Sequence, residues 1–218
     1  MHKGSLFIVI EGLDGSGKTS VSKVLANRLN SLNPESVKLT YEPHNPSCAG
    51  TFIRQILTKE ITQFDPHFLP LAFATNRLDH CHRVIKPWLE ASDSHIVLCD
   101  RYYLSSLVYQ SDNHYSFDDI MKINEFAKKP DIIFFINVDN KTCYERMKIR
   151  NQPEELFETN LSETRQKYFK AITYLRDTRD ENIVEIDGRG TIEDVANKLK
   201  SEIYAFAPHL KTSGVIGE

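Results

Sequence analysis

Apolar and polar positions along the chain follow two rhythms. Three short runs are apolar without interruption: Leu6–Ile10, Ile96–Cys99 and Ile132–Ile136. Runs of that length suit strands covered on both faces. Val37–Thr40 and Ile183–Ile186 are shorter mixed runs and read as two more strands. Between them the spacing lengthens to that of a helix. Val21, Val24, Leu25 and Leu29 fall on one helical face, and residues 51–57 predict a short helix. Apolar positions recur from Phe68 to Leu89 (Leu71, Ala72, Leu78, Cys81, Ile85, Trp88), with Pro87 expected to kink or end that helix. Further helices are predicted over 105–110, 120–127, 142–149 and 161–175. A final helix after the fifth strand carries Ile192, Val195, Ala196, Leu199, Ile203 and Phe206, with Thr191 and Asp194 as a capping box. Strands that alternate with helices give an α/β fold with a parallel sheet and right-handed crossovers. Five strands without a repeat or low-complexity linker predict one domain, residues 1–208, followed by a flexible tail at 209–218. Ligands in such sheets bind at the carboxyl ends of the strands.

Three such ends carry chemistry. The first strand runs into Gly12-Leu13-Asp14-Gly15-Ser16-Gly17-Lys18-Thr19-Ser20, which contains the phosphate-loop pattern G-x-x-x-x-G-K-[ST]. Glycines let the backbone turn its N–H groups onto an anion, and the helix start adds partial positive charge. Lys18 can reach β- and γ-phosphates, and the Thr19 hydroxyl can ligate Mg²⁺. The second strand ends in Tyr41-Glu42-Pro43-His44-Asn45-Pro46, a loop fixed by two prolines. The third ends in Asp100-Arg101. Two readings fit Asp100: a carboxylate holding Mg²⁺ opposite Thr19, or a cap on the next helix. Arg101 suits a second phosphate group, or a salt bridge to Asp100 or Glu11. Asn151–Glu155 breaks the helical pattern. With Arg146 and Arg150 at its edge, the stretch 147–157 reads either as a lid carrying charge to a transferring group or as a surface turn.

The chain has 218 residues, 40% hydrophobic and 26% charged, with a net charge of −3. That balance argues against a nucleic-acid polymer as partner. No apolar run approaches the roughly 20 residues of a membrane helix. Met1-His2-Lys3-Gly4-Ser5 leads straight into the first strand without the form of a signal peptide, and cysteines without a disulfide framework read as reduced, so a cytoplasmic location is expected. The four cysteines, Cys48, Cys81, Cys99 and Cys143, lack metal or disulfide spacing. His80-Cys81-His82 has the look of a metal tract, but neighbours on a helix diverge, and it is expected on a helix surface.

The phosphate loop is shared by very many proteins. A more specific order follows it: Glu42-Pro43 with Ile53-Arg54, Phe73-Ala74-Thr75-Asn76-Arg77, Asp100-Arg101-Tyr102, and Ser105-Ser106-Leu107-Val108-Tyr109-Gln110. From about Phe7 to Phe206 the chain resembles the thymidylate kinases, a group of P-loop nucleoside-monophosphate kinases. The resemblance implies a three-layer P-loop kinase fold, ATP- and Mg²⁺-dependent phosphorylation of dTMP to dTDP, and a homodimer. It implies that Phe73 stacks on thymine, Arg77 meets its O4, and Ser106 or Gln110 meets the edge near N3. Tyr109 then lies against the sugar, Asp14 binds the 3′-hydroxyl, and Arg101 holds the acceptor phosphate. Phe73 and Arg77, four apart, share a helical face. Two features differ from many relatives. Tyr41 stands where Arg is common and His44-Asn45-Pro46 follow, which removes an expected phosphate contact that Arg54 and Arg101 can replace. Gly15 stands where one subgroup has Arg, which turns attention to Arg146 and Arg150. The alternatives are a deoxynucleoside kinase and a nucleotide switch of the GTPase type. The latter needs Asn-Lys-x-Asp, and Asn140-Lys141-Thr142-Cys143 lacks the Asp.

Overall fold

A computed structural model of the chain describes residues 4–45, 47–150, Leu156 and 160–212. All five expected strands form, each ending within two residues of the expected limits: β1 Leu6–Gly12, β2 Val37–Tyr41, β3 Ile96–Asp100, β4 Ile132–Asn137 and β5 Ile183–Asp187. They make one parallel sheet in the order β2-β3-β1-β4-β5. Consecutive residues of β1, Phe7 to Ile10, are all fully buried, as are Val97 to Cys99. Successive strand residues face opposite sides, so both faces of the sheet are covered. Each such side chain contributes about 1.5–3 kcal/mol of burial.

The helices are α1 Lys18–Leu32, α2 Cys48–Leu57, α3 Phe68–His80, α4 Lys86–Ala91, α5 Tyr103–Gln110, α6 Phe117–Ile123, α7 Asn140–Arg150, α8 Leu161–Arg179, α9 Ile192–Phe206 and α10 His209–Thr212. α1 packs on α9, α5 on α8 and α2 on α3. The capping box at Thr191 and Asp194 is present. A second, Ser116 with Asp119, opens α6.

Three expectations need correction. Pro87 does not end the helical run, and the change of pitch falls just before it. It sits in the first turn of α4, where a missing N–H costs nothing, and α3 is joined to α4 by a π-helical turn, Cys81–Ile85. The His80-Cys81-His82 tract is not a surface feature: His80 and Cys81 are fully buried and His82 alone is exposed. Residues 209–212, expected to be loose, form the helical turn α10, with the His209 ring 3.1 Å from the Gly4 carbonyl. Residues 213–218 lie outside the described residues.

The pairing register levels the strand ends. Ile10 lies opposite Asp100, Asp100 opposite Tyr41, and Gly12 opposite Ile136. The loops that follow β1, β2 and β3 therefore open on one side of the sheet.

Candidate active site

The phosphate loop occupies the turn from β1 into α1. Gly15 and Gly17 have φ of 80° and 90°, which a residue with a Cβ adopts only under strain. α1 begins at Lys18 with no side-chain cap, so its first N–H groups stay open to an anion. Lys18 is buried to 6% exposure; its ammonium donates to the Leu13 carbonyl at 3.2 Å and pairs with Asp14 at 3.3 Å. Arg146 of α7 reaches the loop from above, its Nη1 donating to the Ser16 carbonyl at 3.1 Å. A wide cleft holds Gly15 to Ser20, Arg146, Asp100 and, across from the loop, Thr191 and Ile192 at the start of α9.

Asp100 does not cap a helix. Tyr102 occupies the N-cap position of α5, and the Asp100 Oδ2 instead accepts a hydrogen bond from the Thr19 hydroxyl. Its Oδ1 is buried and has no partner among the described residues. An orphaned carboxylate oxygen beside a hydroxyl is an oxygen donor set of the kind Mg²⁺ takes, with phosphate and water completing it. The residues present therefore fit that ion.

Arg101 pairs with neither of the acids expected. Its φ of 68° turns the side chain away from Asp100 and onto Asp14, with Nη2 bonded to Asp14 Oδ1. Nη1 donates to the Ser105 hydroxyl at 3.0 Å and to the Tyr168 hydroxyl at 3.1 Å, and the guanidinium stacks on Tyr109. Glu11 supports this group from beneath. Its buried carboxylate accepts from the Tyr102 and Ser105 amides at 2.8 and 3.1 Å, the Ser105 hydroxyl at 2.7 Å and Tyr168 at 3.2 Å. Burial pushes the Glu11 carboxyl up, against the pull of Arg101 and those hydrogen bonds. Burial acts the same way on Asp14, but there Arg101 and Lys18 outweigh it and hold the carboxyl well below its ordinary range. Asp14 thus stays ionised between the two cations, and the Tyr109 hydroxyl lies 3.4 Å from its Oδ2.

A second pocket opens on the other side of Asp14. Phe73, Leu57 and Pro43 give it apolar walls; Arg54, Arg101 and Tyr109 line its mouth toward the loop. Its polar end is formed by Glu42, Arg77, Ser106 and Gln110. Arg77 is 1% exposed, and each nitrogen of its guanidinium makes one hydrogen bond: Nε donates to Glu42 at 2.7 Å, Nη1 to Asn124 at 2.5 Å and Nη2 to Ser106 at 3.0 Å, leaving a second N–H on each Nη. Gln110 Oε1 is buried without a partner among the described residues. Arg54 lines both clefts, and Tyr41 is on the rim of the wide one.

The structure thus brings Lys18, Thr19, Asp100 and Arg146 to the wide cleft. It brings Pro43, Phe73, Arg77, Ser106, Tyr109 and Gln110 to the second, with Asp14, Glu42, Arg54 and Arg101 shared. The Arg150 side chain and residues 151–155 and 157 of the expected lid lie outside the described residues. Sequence reasoning missed Glu11, Tyr168, His80 and Asn124. Glu11 carried a signal, a carboxylate within an otherwise apolar strand. The contacts that tie the others to the site span 38 to 67 positions, beyond any local pattern. Among the described residues no group of three or more His, Cys, Asp and Glu forms a metal cluster, and no helix is long and apolar enough to cross a membrane.

Comparison with known proteins gives a consistent result. The family model described as thymidylate kinase matches residues 10–199. A probable thymidylate kinase of Methanocaldococcus jannaschii is 37% identical over 198 residues, covering 89% of this chain and 94% of that protein. The thymidylate kinase of Malacoplasma penetrans is 32% identical over 215 residues, covering 93% and 97%. A crystal structure of thymidylate kinase from Ehrlichia chaffeensis superposes with a TM-score of 0.69 at 26% identity, over 92% of this chain and 99% of that one.

Proposed function

The chain belongs to the thymidylate kinase family, and we propose that its two clefts bring ATP and dTMP together for the reaction dTMP + ATP → dTDP + ADP. The observation that carries this reading is Asp14, a single carboxylate paired with Lys18 of the phosphate loop and Arg101 of the second pocket. The two pockets meet there, so phosphates entering from either side end up beside each other.

On the donor side the amides from Gly12 to Ser20, with Lys18 and Arg146, take the phosphates of ATP. Arg150 is the proposed companion of Arg146, from the lid expected over 147–157. Thr19 and Asp100 are the proposed Mg²⁺ ligands, supported by the unpartnered Asp100 Oδ1. When bound there, Mg²⁺ neutralises charge on the β- and γ-phosphates. On the acceptor side Phe73 stacks on the base, and Glu42 and Pro43 close the end of its pocket. Arg77 presents N–H donors and Gln110 Oε1 an acceptor, the complement of the O4 and N3–H of thymine; cytosine reverses both. Ser106 lies between them, already taken up by Arg77. Tyr109 covers the sugar, Asp14 receives its 3′-hydroxyl, and Arg101 with Arg54 holds the phosphate. An oxygen of that phosphate attacks the γ-phosphorus as the bond to ADP breaks. The nucleophile is already ionised, so catalysis rests on positioning and charge, with no protein base.

The chain acts as one domain over residues 1–208, as a homodimer in the cytoplasm, on small nucleotides and not on a nucleic-acid polymer or membrane. Exposed Phe68, Leu71 and Leu78 on one face of α3 support the dimer, since solvent-facing apolar stripes mark protein contacts. ADP release is measured with dTMP, dUMP, dCMP and thymidine, for the chain and for Lys18→Ala. dTMP should be fastest, and the variant should fall about 100-fold or more with an unchanged melting point. Faster turnover of thymidine would remove the monophosphate assignment and restore the deoxynucleoside kinase. Near-normal turnover in the variant would remove the donor assignment.

A further inference from the structure

Arginine and carboxylate usually pair through two parallel hydrogen bonds, with both carboxylate oxygens on one guanidinium edge. Arg77 and Glu42 do not. Glu42 Oε2 accepts from Arg77 Nε at 2.7 Å, while Oε1 lies 3.2 Å from His80 Nδ1. The other ring nitrogen, Nε2, is 2.8 Å from the Thr40 hydroxyl. Thr40 is 5% exposed, His80 0%, Glu42 6% and Arg77 1%, so the four side chains meet in a largely buried cluster. A neutral imidazole satisfies both neighbours in one tautomer only. Nε2 accepts from the Thr40 hydroxyl, and Nδ1–H donates to Glu42. His44 stacks on the same ring, with centroids 4.2 Å apart and planes at 11°.

We propose that His80 is a specificity-determining positioning residue: by occupying Glu42 Oε1 it keeps the Glu42–Arg77 pair single-pronged and leaves Arg77 Nη2 for Ser106 and the base pocket. With Oε1 released, Glu42 can close on Nε and Nη2 together. That draws Nη2 from the Ser106 hydroxyl, 3.0 Å away, and tilts the donor array that faces the base. The selection of a carbonyl-bearing pyrimidine is thereby set from outside the pocket, since His80 does not line it. This rests on the base-reading role of Arg77 given above, and it deepens that role by naming what holds the guanidinium in one of two available pairings.

The test compares kcat/KM for dTMP against dCMP, and KM for ATP, in four variants. His80→Phe keeps a ring against His44 and removes both hydrogen bonds. His80→Asn returns an N–H near the place of Nδ1. Thr40→Val releases the tautomer, and Arg77→Ala removes the reader. His80→Phe should lower the dTMP preference about tenfold with KM for ATP within about twofold, and His80→Asn should recover most of it. Thr40→Val should lower it about threefold. A ring that served only to fill space would leave the preference where it was. If folded His80→Phe keeps the wild-type preference while Arg77→Ala loses it, the positioning role is overturned and the reading of Arg77 stands. If Arg77→Ala also keeps it, the base-pocket assignment falls first. If His80→Phe does not fold, Thr40→Val decides, and an unchanged ratio there overturns the proposal.

Discussion

Single side chains in this protein are tuned by their neighbours more than by their type. His44 shows it. Burial first, then His80 and Arg83, hold its imidazole below the ordinary value of 6.5, against Glu42 and Asp79. In the unfolded chain the same group titrates near its usual value. As pH falls through 6.5 the unfolded state takes up the proton first, so stability is lost between there and the lower folded value. Above 6.5 both states are neutral and the group contributes no pH dependence. Replacing His44 by Phe keeps a ring on His80 and should flatten the fall in melting temperature between about pH 7 and pH 5. An equally steep fall would place the titrating group elsewhere. The role of His44 was not legible in the sequence, where it stood as one letter of a proline-fixed loop. Arg101 was legible as a phosphate-side cation, but its partner was not. The residue has a positive φ, and its guanidinium pairs with Asp14 and not with the adjacent Asp100.

Elements meet most closely where the phosphate loop touches α7. A Cβ added to Gly15 would lie 2.3 Å from the Cys143 carbonyl oxygen and 2.9 Å from its carbon. Both are backbone atoms that cannot swing aside, and the φ of 80° adds strain of its own. Gly15→Ala should therefore push α7 away and cost about 1–3 kcal/mol in denaturant unfolding, and KM for ATP should rise as Arg146 leaves the Ser16 carbonyl. A variant of unchanged stability and affinity would show that α7 yields freely. Strands were readable almost to their ends because uniform apolar runs are local signals; helices were readable in place but less in extent, α6 running over Phe117–Ile123 where 120–127 was expected and α8 continuing to Arg179. What joins them was not. The hydroxyl of Tyr168 on α8 reaches Arg101 and the Gly12 carbonyl, 67 and 156 positions away. The Phe135 and Tyr109 rings pack beside Tyr168, so the sequence marks it only as another buried aromatic.

For the whole molecule, the sheet order puts β1 at the centre with β3 and β4 beside it, so the phosphate loop sits between the two strand ends that flank it. Alternation of strands and helices made that architecture legible; strand order was not, because sequence spacing does not say which neighbour each strand takes. The outer face of α3, with Phe68, Leu71 and Leu78 exposed, is the surface proposed above for the dimer. Sedimentation should find two chains associated, and Leu71→Glu with Leu78→Glu should separate them while the melting curve stays cooperative. Single chains at working concentrations in the unaltered protein would remove that assignment. The π-helical turn at Cys81–Ile85 has a further consequence. Its last N–H, from Lys86, reaches back five residues to Cys81. A helix advances about 100° per residue, so this one surplus residue fixes the rotational phase between the half of the rod that carries Arg77 and the half that buries Ile85 and Leu89. Exchanging letters on the exposed side of that turn leaves the phase intact. Deleting a single letter winds the rod back to regular pitch and turns one half out of place, so in this stretch the count of residues is guarded more strictly than their identity.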